Sequence, residues 1–427
     1  MHGPSNYITG GRTKWALALL LLGLAALVWA APSLAEEKPP AYKVLVFAPQ
    51  FSHYKEGSVY AQLFQADLER HWPAGRVEMR FFPWDDLDDP AAISRTLADL
   101  AADPLIRGLV VGEAPVGAID GVARLRAQRP DIYVTVIDPH EKMERMAKVA
   151  TLTLALNHPA RGFLYPALAH RMGARTMVYF SLPRYLSLPG FGQQYRIMTQ
   201  ATQDLNMIMV SDLDGPDPLE QGQDIIALED YLEKAVRRYL DQYGPDTAFV
   251  ATSTTHSDLL VPIVMREGGF MLPAVQPSLL LGYPEALDMV EETQALFGQW
   301  RKLLAAMDEK IMARQSRPDP GDPNALPPTR GFAAWTYPYP HTVMLAMADL
   351  TVSAIEDQGD ILKRENIDQA LAKYSPGIKW QVSTQMDYLN DRLVPQALLL
   401  IQDTYWFGQG YQGFTQLNIP AKYYRIR

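Results

Sequence analysis

The feature that most constrains this chain is an alternation of short β-branched apolar runs with amphipathic stretches, which starts at Lys43 and restarts after Asn157-His158-Pro159. The first series predicts strands over Val44–Ala48, Val77–Phe82, Ile106–Val111, Ile132–Ile137 and Ala150–Leu156, with helices over Ser58–His71, Pro90–Leu100 and Ala118–Gln128 between them. Tyr60, Phe64 and Leu68 share one helical face, the spacing of a helix packed on a sheet. Such alternation implies a parallel sheet with right-handed crossovers. The second series predicts helix Ala160–Arg171 capped by Gly173, strand Thr176–Phe180, helix Gln193–Leu205, strand Met207–Val210, helix Glu220–Tyr243, strand Thr247–Ala251, helix Ser257–Glu267 and strand Gly269–Ala274. The expected architecture is therefore α/β with two lobes, 36–157 and 158–285, and a cleft between them that suits a small ligand.

Residues 286–427 are less regular. Leu296, Trp300, Leu303, Met307 and Ile311 mark a helix, Arg317–Pro328 is a Pro-rich loop, and Thr342–Gln358 and Ile361–Tyr374 read as two further helices. This part is expected to return to the first lobe and cover it.

Residues 1–35 join a basic segment with Arg12 and Lys14, an apolar run from Trp15 to Ala31 and the small-residue site Ser33-Leu34-Ala35. That order is expected of a secretory signal peptide cleaved before Glu36, which places the mature protein in the periplasm; an uncleaved anchor helix is the alternative. The 427 residues carry a net charge of −9, which removal of this segment makes more negative, so no basic stripe for nucleic acid is expected. With no cysteine, disulfides, thiol catalysis, thiolate metal sites and a lipidated cysteine anchor are excluded.

Several strings carry a family resemblance: DPHE at Asp138–Glu141, MGARTMVYFSLPRY at Met172–Tyr185, DGPDP at Asp214–Pro218, YGPDTAFVATS at Tyr243–Ser253 and QPSLLLGYPEAL at Gln276–Leu287. Together they resemble an uncharacterised family of exported bacterial proteins with the type I periplasmic binding-protein fold. The resemblance spans roughly Lys43–Leu287 and implies a two-lobed fold and an exported, binding-protein-like role. It implies no ligand. Many Gram-positive receptors of this kind are lipoproteins; a chain without cysteine points instead to a Gram-negative host.

In open α/β sheets ligands lie outside the carboxyl ends of the strands. The loops there offer Phe51, Ser52 and Glu56; Glu113; Asp138, His140 and Glu141; Ser181 and Arg184; Asp212, Asp214 and Asp217; Ser253, Thr254, Thr255 and His256; and Ser278 and Tyr283. Carboxylates suit amines or hydroxyls, an arginine suits a planar anion, and aromatics stack. The competing reading makes many of these helix caps and turns, Ser257 and Asp217 especially. Arg184, beside Pro183 after a buried strand, is expected to line the cleft.

Other chemistries find little support. Asp212-x-Asp214-x-x-Asp217 lacks the distal Glu of a calcium loop, and His140-Glu141 lacks the second His of H-E-x-x-H. Neither G-x-S-x-G nor a nucleotide-binding glycine loop occurs, so no cofactor is expected. The reading is a solute receptor that binds a small polar ligand for an inner-membrane transporter or sensor, without turnover. An exported hydrolase using Asp138, His140 and Glu141 is the rival.

Overall fold

A computed structural model describes residues 41–50, 55–72, 75–217, 225–315, 330–387 and 392–426. The leader, Phe51, Ser52 and the loop Arg317–Pro328 lie outside the described residues.

The first series forms parallel strands β1 (Lys43–Phe47), β2 (Val77–Arg80), β3 (Ile106–Gly112), β4 (Tyr133–Ile137) and β5 (Leu152–Leu156). Helices cover both faces, so the strands need apolar residues on both. In β1, Val44 and Val46 join one buried cluster while Leu45 and Phe47 join the other, which is the period of two made visible. The second series forms β6 (Thr176–Phe180), β7 (Ile208–Asp212), β8 (Thr247–Ala251), β9 (Phe270–Met271) and β10 (Gly331–Ala334), again parallel.

The remaining strands serve both sheets. β11 (Trp380–Asp387) and β12 (Arg392–Gln402) form an antiparallel pair that joins the first sheet, with β12 parallel to β5. β13 (Tyr405–Trp406) and β14 (Gly410–Tyr411) extend the second sheet beyond β10. The orders are β11-β12-β5-β4-β3-β1-β2 and β14-β13-β10-β9-β8-β6-β7. The fold is thus α/β and two-lobed, with mainly parallel sheets.

Helix boundaries follow local chemistry. Ser58, Asp89 and Asn157 each accept a backbone N–H at a helix start, and Gly173 closes helix His158–Met172 at φ 95°. The helix over Thr254–Glu267 is capped by Ser253; Ser257, expected as a cap, lies inside it and donates to the Ser253 carbonyl at 2.9 Å. β9 is shorter than the apolar run Gly269–Ala274, because the chain leaves the sheet after Met271.

The chain passes between the lobes at Asn157-His158, between β10 and helix Tyr339–Ile355, and between β12 and β13. Buried Gln402 ties two of these passages together. Its side chain accepts from the Tyr337 N–H at 3.0 Å and donates to the Tyr337 carbonyl at 3.1 Å. Nearby, the Asn157 N–H reaches the Leu400 carbonyl at 3.0 Å. One buried apolar cluster runs from the first sheet through Tyr337 and Tyr339 into the second. Among the described residues no helix is long and apolar enough to cross a membrane.

Candidate functional site

β3 and β4 are neighbours, and the residues that follow them are Glu113 and Asp138. Both adopt left-handed backbone, φ 46° and 45°, a conformation that costs energy in a residue with a side chain. Glu113 Oε1 accepts from Gln276 Nε2, which comes from the segment after β9, whereas Oε2 is enclosed without a partner. Burial, then the Asp138 charge, pushes the Glu113 carboxyl up to about 8. At neutral pH it is mostly protonated and can donate a hydrogen bond.

Burial also raises Asp138, to about 6, against the Leu156 N–H at 2.8 Å, the nearby Tyr339 hydroxyl and the charge of Arg161. The Tyr339 hydroxyl faces this carboxylate without reaching hydrogen-bond geometry. Glu113 and Asp138 keep some solvent contact although protein surrounds them, the condition of groups on a cleft floor.

His140 follows in the same loop, and its N–H donates to the Ala114 carbonyl at 2.9 Å. Burial, helped by the Arg184 charge, lowers its pKa to about 4, so the imidazole is neutral. Glu141 has a structural task. Its Oε2 accepts from the N–H groups of Gly117 (3.1 Å) and Ile119 (2.9 Å), at the start of helix Ala118–Gln128. The N-cap there is Gly117, with no side chain to offer, and Glu141 supplies the missing acceptor and a charge favourable to the helix dipole.

The second lobe contributes Arg184 and Tyr185, on the short helix Pro183–Leu186 after β6. Arg184 binds both carboxylate oxygens of Asp217, at 2.5 and 2.7 Å, and its guanidinium carbon sits 4.6 Å from the Tyr185 ring centre. The Arg184 charge acts on His140 of the first lobe and on His256 of its own. Burial raises Tyr185 to about 12, with smaller contributions from Asp217 and from Glu113 across the cleft. Glu113 is thus coupled to Asp138 and to Tyr185, and Arg184 to Tyr185 and His140, so charges at the strand ends of the two lobes act on one another.

His256 is buried, 2.6 Å from Ser253 Oγ through Nδ1. That oxygen also accepts the His256 N–H at 3.0 Å. Burial lowers its pKa to about 4. His158 behaves likewise at the lobe crossing: it bonds Gln194 Oε1 at 2.7 Å, packs against Phe191 and is lowered to about 4 by burial.

Other expected site residues have internal partners. Tyr283 is a core residue of the second lobe, its hydroxyl on the Ala333 carbonyl at 3.1 Å and its ring against Phe332 and Phe407. Ser181 accepts from Thr252 Oγ1 at 2.7 Å, and Ser278 accepts the Leu280 N–H at 3.0 Å. Asp212 takes the hydroxyls of Tyr231 (2.6 Å) and Tyr239 (2.8 Å), which ties β7 to helix Ile225–Tyr243. Asp214 and Glu56 are exposed, and Thr254 and Thr255 are half-buried in the first turn of their helix. Among the described residues no three His, Asp or Glu gather as a metal site.

Sequence reasoning missed Gln276, Tyr339 and Arg161. Arg161 is 2% exposed and donates to the carbonyls of Ala274 (2.7 Å) and Val275 (2.6 Å) and to the Tyr165 hydroxyl. It lies in a helix read only as packing. The Asn157-His158-Pro159 break was the one signal that a lobe crossing stood beside it.

A family model described as "Protein of unknown function (DUF3798)" matches residues 42–318, more than half of the chain. The chain belongs to this family. The DUF3798 match ends before the last two lobe crossings, and a second family model matches residues 344–426. An uncharacterized Treponema pallidum (strain Nichols) protein is 30% identical over 188 residues, 44% of this chain and 84% of that protein. A second match from the same organism is 36% identical over 126 residues, covering 30% and 56%.

A solved structure from Clostridium difficile 630, provisionally described as a transcriptional regulator, aligns with TM-score 0.62 at 13% identity over 86% of this chain and 99% of that one. It shares the fold. A sugar transporter subunit from Rhodobacter sphaeroides 2.4.1 aligns more loosely, TM-score 0.43 at 10% identity over 74% and 93%.

Proposed function

We propose that this protein is an exported solute receptor, which takes a small polar molecule between its lobes and passes it to an inner-membrane transporter or sensor. One observation carries the reading. A carboxyl group with a partnerless oxygen, Glu113, stands at a strand end on one lobe, held by Gln276 and close enough to Tyr185 of the other to act on its hydroxyl. Groups from both lobes reach a ligand together only when the lobes are close, so a ligand that touches both favours the closed form by its differential affinity. The protonated Glu113, the Asp138 carboxylate, neutral His140 and the Arg184–Asp217 pair provide donors and acceptors for hydroxyl, carbonyl or amine groups. The export half of the reading rests on the leader sequence.

The hydrolase alternative would need Asp138, His140 and Glu141 to act together, and the Glu141 carboxylate is committed to a helix start. The test is to release small molecules from natively purified protein by denaturation, identify them by mass spectrometry and titrate each one back. A receptor gives one compound class near stoichiometry, bound saturably and recovered unchanged. Failure to recover any compound, with no saturable binding across sugars, amino acids and polyamines, would overturn the proposal; conversion of the compound would favour the enzyme.

A further inference from the structure

The first sheet has a second concavity at its opposite end, away from Glu113 and Asp138. There the residues before β5, the first residues of β12 and the last turn of helix Ala118–Gln128 line an open groove of about 640 Å³. That volume falls in the range of small-molecule sites.

Four cations line the groove: Arg126, Arg145, Lys148 and Arg392. Among the described residues Glu144 is its one lining carboxylate, and Glu144 Oε1 already accepts from Gln385 at 3.1 Å. Elsewhere a number of surface cations of this acidic chain are paired, as Arg237 is with Glu233 and Glu267, and Arg364 with Asp368. Arg126, Arg145 and Lys148 form no ion pair with any described carboxylate. Arg126 is held by Nη1 on the Val149 carbonyl at 3.1 Å, while its Nε is enclosed without a partner. An anion in the groove would offset the repulsion among the cations. Leu393, 59% exposed, and Leu362, 45% exposed, belong to the same groove, so apolar surface adjoins the charge.

We propose that this groove is a second binding site, which takes the phosphate group of a ligand that also carries an apolar part. Guanidinium forks match phosphate oxygens two at a time, and Lys148 adds a point charge. A soluble phosphate ester and an anionic phospholipid headgroup offer the same chemistry. The site is independent of the inter-lobe cleft.

The experiment uses the mature chain and two probes in low-salt buffer: inorganic pyrophosphate by calorimetry, and vesicles of phosphatidylglycerol or phosphatidylcholine by co-sedimentation. The variant is Arg145→Ala with Lys148→Ala, two exposed positions, checked by an unchanged melting temperature; Arg126→Gln is the second variant. A soluble ligand source gives saturable pyrophosphate binding that weakens with salt and falls at least about tenfold in the double variant. A lipid source gives co-sedimentation with phosphatidylglycerol but not phosphatidylcholine, lost in the same variant. If neither probe binds, or if binding survives in both variants, the groove is not an anion site.

Discussion

At the scale of single residues, Glu113 departs most from ordinary behaviour, with left-handed backbone, a partnerless oxygen and a carboxyl that holds its proton to about pH 8. The unfolded chain releases that proton near the ordinary value of 4.5, so between these limits the folded state binds more protons. Stability is therefore highest below the unfolded value and falls as pH rises through the folded one; Asp138, raised to about 6, adds a fall over its lower range. The urea midpoint of the wild type should drop from about pH 5 to about pH 8. Glu113→Gln should flatten that slope, and equal slopes in both proteins would count against the assigned shift. Arg184 gives a contrasting prediction, because its pair with Asp217 is partly exposed. Arg184→Ala should alter stability by less than about 1 kcal/mol. Affinity for the co-purified solute should fall about tenfold by calorimetry if Arg184 touches it. Unchanged affinity would confine Arg184 to holding Asp217.

At the scale of elements, the second lobe begins with a close helix pair, His158–Met172 on Pro189–Asp204. Gly162 permits the approach. A Cβ there would stand 2.7 Å from the Gln194 carbonyl oxygen and 2.9 Å from Ile197 Cβ, closer than packed atoms tolerate. Gly162→Ala should destabilise the protein by about 1–3 kcal/mol in chemical denaturation, although alanine is the better helix former. A neutral or stabilising result would mean that the pair can separate at no cost. The same scale shows why most strands were legible and β9 was not. Thr176–Phe180 and Thr247–Ala251 are apolar runs bounded by turn signals, and they are strands over those residues. Gly269–Ala274 is apolar too, but it has no β-branched residue and contains Pro273; only Phe270 and Met271 pair in the sheet, and the carbonyls of Ala274 and Val275 serve Arg161 instead. Pro273, which has no N–H to give a strand ladder, is the local signal that this run ends as a strand early.

At the scale of the whole molecule, the lobes share one core cluster and three passages, so closure would bend the chain at a few tied points. If the receptor reading holds, X-ray scattering should show a smaller radius of gyration with the co-purified solute than without it, and the melting temperature should rise with solute concentration. Identical scattering curves would argue against lobe closure. The export reading has its own test: protein from the periplasm should begin near Glu36. A membrane-bound form beginning at Met1 would establish the anchor.

The α/β class, the restart at Asn157 and the strand ends beside Glu113, Asp138, His140 and Arg184 are readable from the order of residues alone. These follow from local periodicity and from the rule that parallel strands present their carboxyl ends on one side. Which polar groups are already spent emerges from packing in three dimensions. Glu141 serves a helix whose N-cap is a glycine, Tyr283 serves its own lobe, and Asp212 serves two tyrosines from a distant helix. It also brought Gln276 onto Glu113 and folded 286–427 into both sheets. Those partners lie tens to hundreds of residues away in the chain, and hydrogen bonding over such separations depends on packing that no short pattern encodes.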